Sequence, residues 1–169
     1  MGGFSIDISN TLNFEKVSGD LSGAVDDELN SFGLDTVAMA KELCPVDEGF
    51  LRNSITFEKE NLSVTIIAAA FYAAYVEFGT RKFAAEYAAT LPANWQEYAA
   101  TFIGGAGTGD GDFFNKILAW MERKGIDKKL AYPIARNILI NGVKAQPFFY
   151  PAIFDNEVKL INNLNALLK

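Results

Sequence analysis

Positions Leu21, Val25, Leu29, Phe32, Thr36, Ala40 and Leu43 follow one another at intervals of 4, 4, 3, 4, 4 and 3 residues. An α-helix turns once every 3.6 residues, so these positions form one stripe on a helix of about six turns, suited to lie across something flat and apolar. Asp20 can cap its start. Cys44-Pro45 ends it, because the residue before a proline avoids helical geometry. Upstream, Phe4, Ile6 and Ile8 alternate with Ser5 and Asp7, which predicts a short edge strand over 4–8.

After a turn at residues 45–49, period two appears twice. Ile55 and Phe57 share one face of a strand within residues 52–58. Beyond the polar turn Lys59-Glu60-Asn61, the residues Leu62, Val64, Ile66 and Ala68 share one face of the next. Strands this close in sequence form an antiparallel hairpin, and the long helix is its natural cover. Tyr72-Ala73-Ala74-Tyr75-Val76-Glu77-Phe78-Gly79-Thr80 then predicts one short packed helix. Gly79 stops it, since glycine takes the left-handed cap conformation without steric cost.

The rest of the chain is mostly helical in pattern. Residues 83–102 favour helix but contain Pro92, which predicts two pieces. The glycine-rich run 104–111 is a loop. Helical spacing resumes through Phe113, Ile117, Trp120 and Met121 up to Gly125, and again over 128–141 up to Gly142. Gln146-Pro147-Phe148-Phe149-Tyr150-Pro151 is proline-bound and aromatic, which predicts an extended segment. A last helix over 152–168 places Phe154, Val158, Ile161, Leu164 and Leu168 in one stripe.

Length and composition add limits to this pattern. At 169 residues, half of them hydrophobic, the chain can bury one core, and the expectation is a single domain, 1–169, with a helical insertion at 81–145. The longest apolar run, Ile66–Val76, is too short to span a membrane, which takes about 20 residues, and the N-terminus lacks the pattern of a secretory signal. Net charge is −6, yet residues 1–80 carry 13 acidic and 4 basic side chains against 8 and 11 over 81–169. A basic stripe for nucleic acid is not the picture. An acidic half and a basic half suit head-to-tail association of like subunits.

The candidate chemistry is sparse. Histidine is absent and Cys44 is the single cysteine, which removes the nucleophilic triads, the Cys/His dyads and the usual zinc and copper sites, and any disulfide within the chain. No cofactor is implied. The glycine run lacks the Gly-Lys-Ser/Thr of a phosphate loop and reads as a linker. Cys44 has no basic neighbour in sequence and reads as a small buried residue. Arg123, Lys124, Lys128 and Lys129 flank a turn and read as solvated charge before they read as a phosphate contact. Trp95, Trp120, Phe113 and Phe114 fall at helical spacing, as core or subunit-interface residues do. Asp47 and Glu48, like Asp110 and Asp112, lack the apolar walls that shift a carboxyl toward acid-base work. Glu77 alone has such walls. A lone carboxylate in that setting needs a partner, and Arg52 and Arg81 are the candidates for a structural ion pair.

Three blocks together resemble a known family. Ala40-Lys41-Glu42-Leu43-Cys44-Pro45-Val46-Asp47-Glu48-Gly49-Phe50-Leu51-Arg52-Asn53-Ser54-Ile55, then Tyr72 to Thr80, then Gln146-Pro147-Phe148-Phe149-Tyr150-Pro151-Ala152 are similar, in order, to the small tail-completion, or head-tail connector, proteins of tailed phages, the gene-product-ten-like tail components of lambdoid phages. The 65 residues between Thr80 and Gln146 resemble the longer variants. The resemblance implies a non-enzymatic virion protein, made in the host cytoplasm. It would form a homo-oligomeric ring in the neck between the portal or adaptor and the tail, with DNA passing close by and no membrane partner. The expected fold is α+β, a small curved antiparallel sheet packed against a long N-terminal helix and a C-terminal helix. Residues expected to serve assembly are Asp47, Gly49, Arg52, Tyr72, Tyr75, Glu77, Phe78, Gly79, Thr80, Pro147, Phe148 and Pro151. The alternatives are a tail terminator or other virion structural protein, and a carboxylate-dependent hydrolase built on Glu77 and Asp47.

Overall fold

The computed structural model describes residues 4–7, 19–101 and 111–167, with side chains over 21–101 and 112–167. In chain order the elements are β1 (Phe4–Asp7), α1 (Gly19–Leu43), α2 (Phe50–Asn53), β2 (Ile55–Glu60), β3 (Ser63–Ala68), α3 (Ala73–Phe78), α4 (Arg81–Ala88), α5 (Ala93–Ala100), α6 (Gly111–Arg123), a 3-10 turn (Lys128–Leu130), α7 (Ala131–Asn141) and α8 (Phe149–Leu167). They divide into two compact units: Met1–Glu77 with Gln146–Lys169, and Phe78–Ala145.

The first unit is the expected α+β assembly. β3 is the central strand of an antiparallel sheet ordered β1-β3-β2, with Phe4 opposite Ala68 on one side and Ile55 opposite Ala68 on the other. The alternation of β3 fixes which face is inward: Val64, Ile66 and Ala68 are buried and Ser63, Thr65 and Ile67 are not. α1 crosses that face and also packs on α8. Its stripe is the predicted one, with Val25, Leu29, Phe32, Thr36 and Ala40 buried, while Leu43 at the end is exposed. Gly33 sits in mid-helix because a Cβ there would meet the Phe57 ring at 2.5 Å. The helix therefore approaches β2 as closely as a side-chain-free position permits.

Three expectations need correction. Leu62 is not in the strand. Glu60 pairs with Ser63, so Asn61-Leu62 is a two-residue hairpin loop in which Leu62 takes φ +58. The 146–151 segment is not extended throughout, because α8 begins at Phe149 and holds Tyr150 and Pro151 in its first turn. Proline is tolerated there, where its missing N–H would have had no helical partner. The buried face of α8 is Phe149, Ala152, Ile153, Asn156, Leu160 and Leu164. Phe154, Val158 and Ile161 lie outside at 41–50% exposure. The helix carries two apolar faces, and the more continuous one in sequence is not the one facing α1.

The second unit is helical, with α4 against α5 and α7, and α6 against α7. The break at Pro92 is as expected, as is the stop at Gly125, φ +66. Phe78 is fully buried at its centre, with ring centroids of Tyr98, Trp95 and Tyr87 at 5.7, 6.0 and 6.5 Å. Thr80 and Val143 bind each other twice, Thr80 N to Val143 O and Val143 N to Thr80 Oγ1, both at 2.9 Å. Gly79 (φ +72) could not carry a Cβ, which would fall 2.6 Å from Ala145 N and from Val143 O. Of the glycine-rich run, residues 104–110 lie outside the described residues, and Gly111 opens α6.

Candidate assembly site

α3 is barely more than one turn, and its composition sorts its faces. Ala73, Ala74 and Glu77 point inward, while Tyr75 stays half exposed. Glu77 is fully buried, and its carboxylate accepts from three successive main-chain amides. Oε2 takes Phe148 N and Phe149 N at 2.8 Å each, and Oε1 takes Tyr150 N at 3.1 Å.

A helix leaves its first four N–H groups without intrahelical acceptors and presents partial positive charge at that end. Here three of the four go to one carboxylate, and the fourth does not exist because Pro151 has no N–H. Every orphan donor of α8 is thereby accounted for by a residue 71 to 73 positions away in sequence. Charge-assisted bonds of this kind are roughly twice as strong as neutral ones, which is how a buried charge in an apolar wall becomes stabilising. Gln146 N adds a bond to Val76 O at 2.9 Å. The flanking rings Phe148 and Phe149 are fully buried edge to face, 6.0 Å between centroids. Chemically, the arrangement positions an element. With no exposed surface, the carboxylate has no access to a substrate.

The partners of Glu77 were not legible as amides in sequence, where arginine was the natural candidate. Arg52 lies exposed at the end of α2, and its charge acts on the Cys44 thiol, opposing the burial that pushes that thiol up from its ordinary value. Residues 49–54 have a structural duty of their own. Gly49 takes φ +81 to start α2, and Ser54 donates to Leu51 O at 2.7 Å while accepting from Ala70 N at 3.1 Å. Ser54 thus ties the start of β2 to the chain leaving β3. Asn156 is a second residue whose role sequence did not disclose. It is a polar group inside the buried face of α8, donating to Ala152 O at 2.9 Å and accepting from Lys159 Nζ at 2.9 Å.

Around Tyr72 the first unit shows a different surface. Phe50 and Phe71 are 61% and 75% exposed, and the Tyr72 ring lies between them, 6.3 and 5.2 Å away. Burial raises the Tyr72 hydroxyl pKa, a hydrogen bond with the Leu51 main chain opposes this, and the Cys44, Glu48 and Asp47 charges raise it further. Asp47 and Glu48 themselves are exposed. Of the twelve expected positions, the structure gathers Glu77, Pro147, Phe148 and Pro151 at the start of α8. It gathers Asp47, Gly49, Arg52 and Tyr72 around α2, leaves Tyr75 on the outside of α3, and puts Phe78, Gly79 and Thr80 in the second unit. Among the described residues, no group of acidic or cysteine side chains is arranged to hold a metal ion, and no helix is long and apolar enough to cross a membrane.

Comparison with known proteins fits this picture. Residues 11–79 match the family described as "Bacteriophage HK97-gp10, putative tail-component". The match takes in the blocks around Asp47 and Glu77, and the block at 146–152 lies beyond it. No curated protein and no solved structure matches the chain.

Proposed function

We propose, from the premise that residues 11–79 match a phage tail-component family, that this chain is a structural subunit of a tailed-phage particle. It assembles as a homo-oligomeric ring in the neck, between the portal or adaptor and the tail. The family match is the observation that carries this reading. The surface supports it, because Phe50, Phe71 and Tyr75 are large rings left in water, and exposed aromatic clusters of this kind serve as contact surfaces. A neck position brings DNA close, and the acidic character of residues 1–80 would let it pass without adhering. The 81–145 insertion is then an elaboration that meets a neighbouring virion protein.

The hydrolase alternative needs Glu77 as acid or base near Asp47. Glu77 is fully enclosed and committed to three amides, whereas a general base must reach the substrate's proton. The tail-terminator alternative keeps the particle and changes the position. An amber mutation in the gene of the encoding phage separates the readings. The expected lysate contains DNA-filled heads and free tails of normal length, joined again when the wild-type chain is supplied. Tails of irregular length would indicate a terminator, and infectious particles at wild-type titre would contradict a structural role.

A further inference from the structure

Each unit leaves apolar side chains in water beside charged residues, and the charge beside one such surface on each unit differs in sign. On the first unit the Phe50–Tyr72–Phe71 cluster adjoins residues 41–52, where Glu42, Asp47 and Glu48 stand against Lys41 and Arg52, a net acidic margin. On the second unit, Leu130 and Tyr132 are 50% and 71% exposed. They lie within a segment, 124–144, that carries Lys124, Lys128, Lys129, Arg136 and Lys144 against the single acid Asp127. Tyr132 and Arg136 are four residues apart on α7, so ring and guanidinium share one face. Both surfaces thus have the make-up of an interface patch, an apolar or aromatic centre beside a charged margin.

We propose that the aromatic cluster at Phe50, Phe71 and Tyr72 of one copy receives the Leu130–Tyr132 surface of a second copy, with Asp47 and Glu48 facing Lys128 and Lys129. The contact joins two different patches, so each copy offers both halves and repetition continues head to tail, the geometry that closes into rings. The proposal rests on the ring reading above and supplies its contact surface. The Lys128 bond to Glu122, 3.2 Å and exposed at both ends, is no obstacle, since exposed pairs of this kind contribute little and exchange readily. Arginine and lysine near Tyr72 would gain further from its ring face.

The test uses two full-length variants that fail separately and work together. Asp47→Lys with Glu48→Lys makes both surfaces basic, and Lys128→Glu with Lys129→Glu makes both acidic. All four positions are exposed, and circular dichroism with thermal melting checks that each variant folds. In sedimentation velocity across a dilution series, each variant alone is expected to associate roughly tenfold or more weakly than wild type, as like charges face each other. An equimolar mixture should recover assembly, because every contact in it is again between opposite charges. Either variant assembling alone like wild type overturns this contact and leaves the ring reading standing. Wild-type protein that is monomeric at every concentration, and shows no cross-links between copies in purified particles, overturns both. A disulfide pair adds a positional check: with Cys44→Ala, Phe71→Cys and Tyr132→Cys combined, oxidation should link separate chains. A bond closed within one chain would contradict the proposal.

Discussion

Glu77 holds three amide protons that water would otherwise have to reach. Glu77→Ala should therefore destabilise the first unit by about 3–5 kcal/mol, the range for breaking a buried charged network. That is a large share of the ~5–15 kcal/mol that stabilises a typical domain. Glu77→Gln should recover only part of the loss, because its amide nitrogen turns a donor toward donors. Urea titration of the three proteins measures this, and an alanine variant as stable as wild type would remove the cap from the account. Thr36 predicts the opposite sign. Its hydroxyl is buried without a hydrogen-bond partner, so Thr36→Val should stabilise by about 1 kcal/mol.

Burial is the leading cause of the raised pKa values of Cys44, Tyr72, Tyr98 and Tyr150. Each is neutral when protonated, so the unfolded chain gives up these protons first as pH rises. Stability from these groups is complete at neutral pH and is lost above the ordinary thiol and phenol range of about 8.5–10. The melting temperature should fall on the alkaline side in steps that follow tyrosinate absorbance. Cys44, 4% exposed, should react with a thiol reagent far more slowly in the native protein than in urea.

Among the elements, what the sequence disclosed and what it hid have separate physical causes. The 4-4-3 spacing from Leu21 announces α1 because one long helix lies on one sheet and only one face is wanted. The same logic misjudges α8. Phe154, Val158 and Ile161 are apolar yet exposed, while the buried face of Phe149, Ile153, Leu160 and Leu164 also takes in the small Ala152 and the polar Asn156. Hydrophobicity alone cannot separate an inward face from an exposed one. Likewise the start of α8 at Phe149 depends on a carboxylate supplied from α3, a contact no local pattern encodes. The glycines are legible in part: Gly79 declares a stop, while Gly33 acquires its reason only when Phe57 is seen against it. Gly33→Leu should accordingly lower the melting point by several degrees through steric displacement of β2, despite leucine's better helix propensity.

For the whole molecule, the chain departs from the first unit and returns to it at neighbouring points, since Gln146 N bonds to Val76 O. Replacing residues 78–145 by a turn of about four Gly and Ser residues should thus leave a cooperatively folding first unit. That truncated protein should no longer self-associate, because the basic half of the head-to-tail contact has gone with the insertion. Association of the intact chain should weaken as salt is raised toward ~1 M, where the screening length shrinks to about 3 Å. Electron cryo-microscopy of the phage neck would show the subunit contact itself. The expected density is a closed ring of this chain in which Phe50, Phe71 and Tyr72 of each copy meet Leu130 and Tyr132 of the next, with α8 docked on Glu77. Particles whose neck and tail contain no copy of the chain would contradict it.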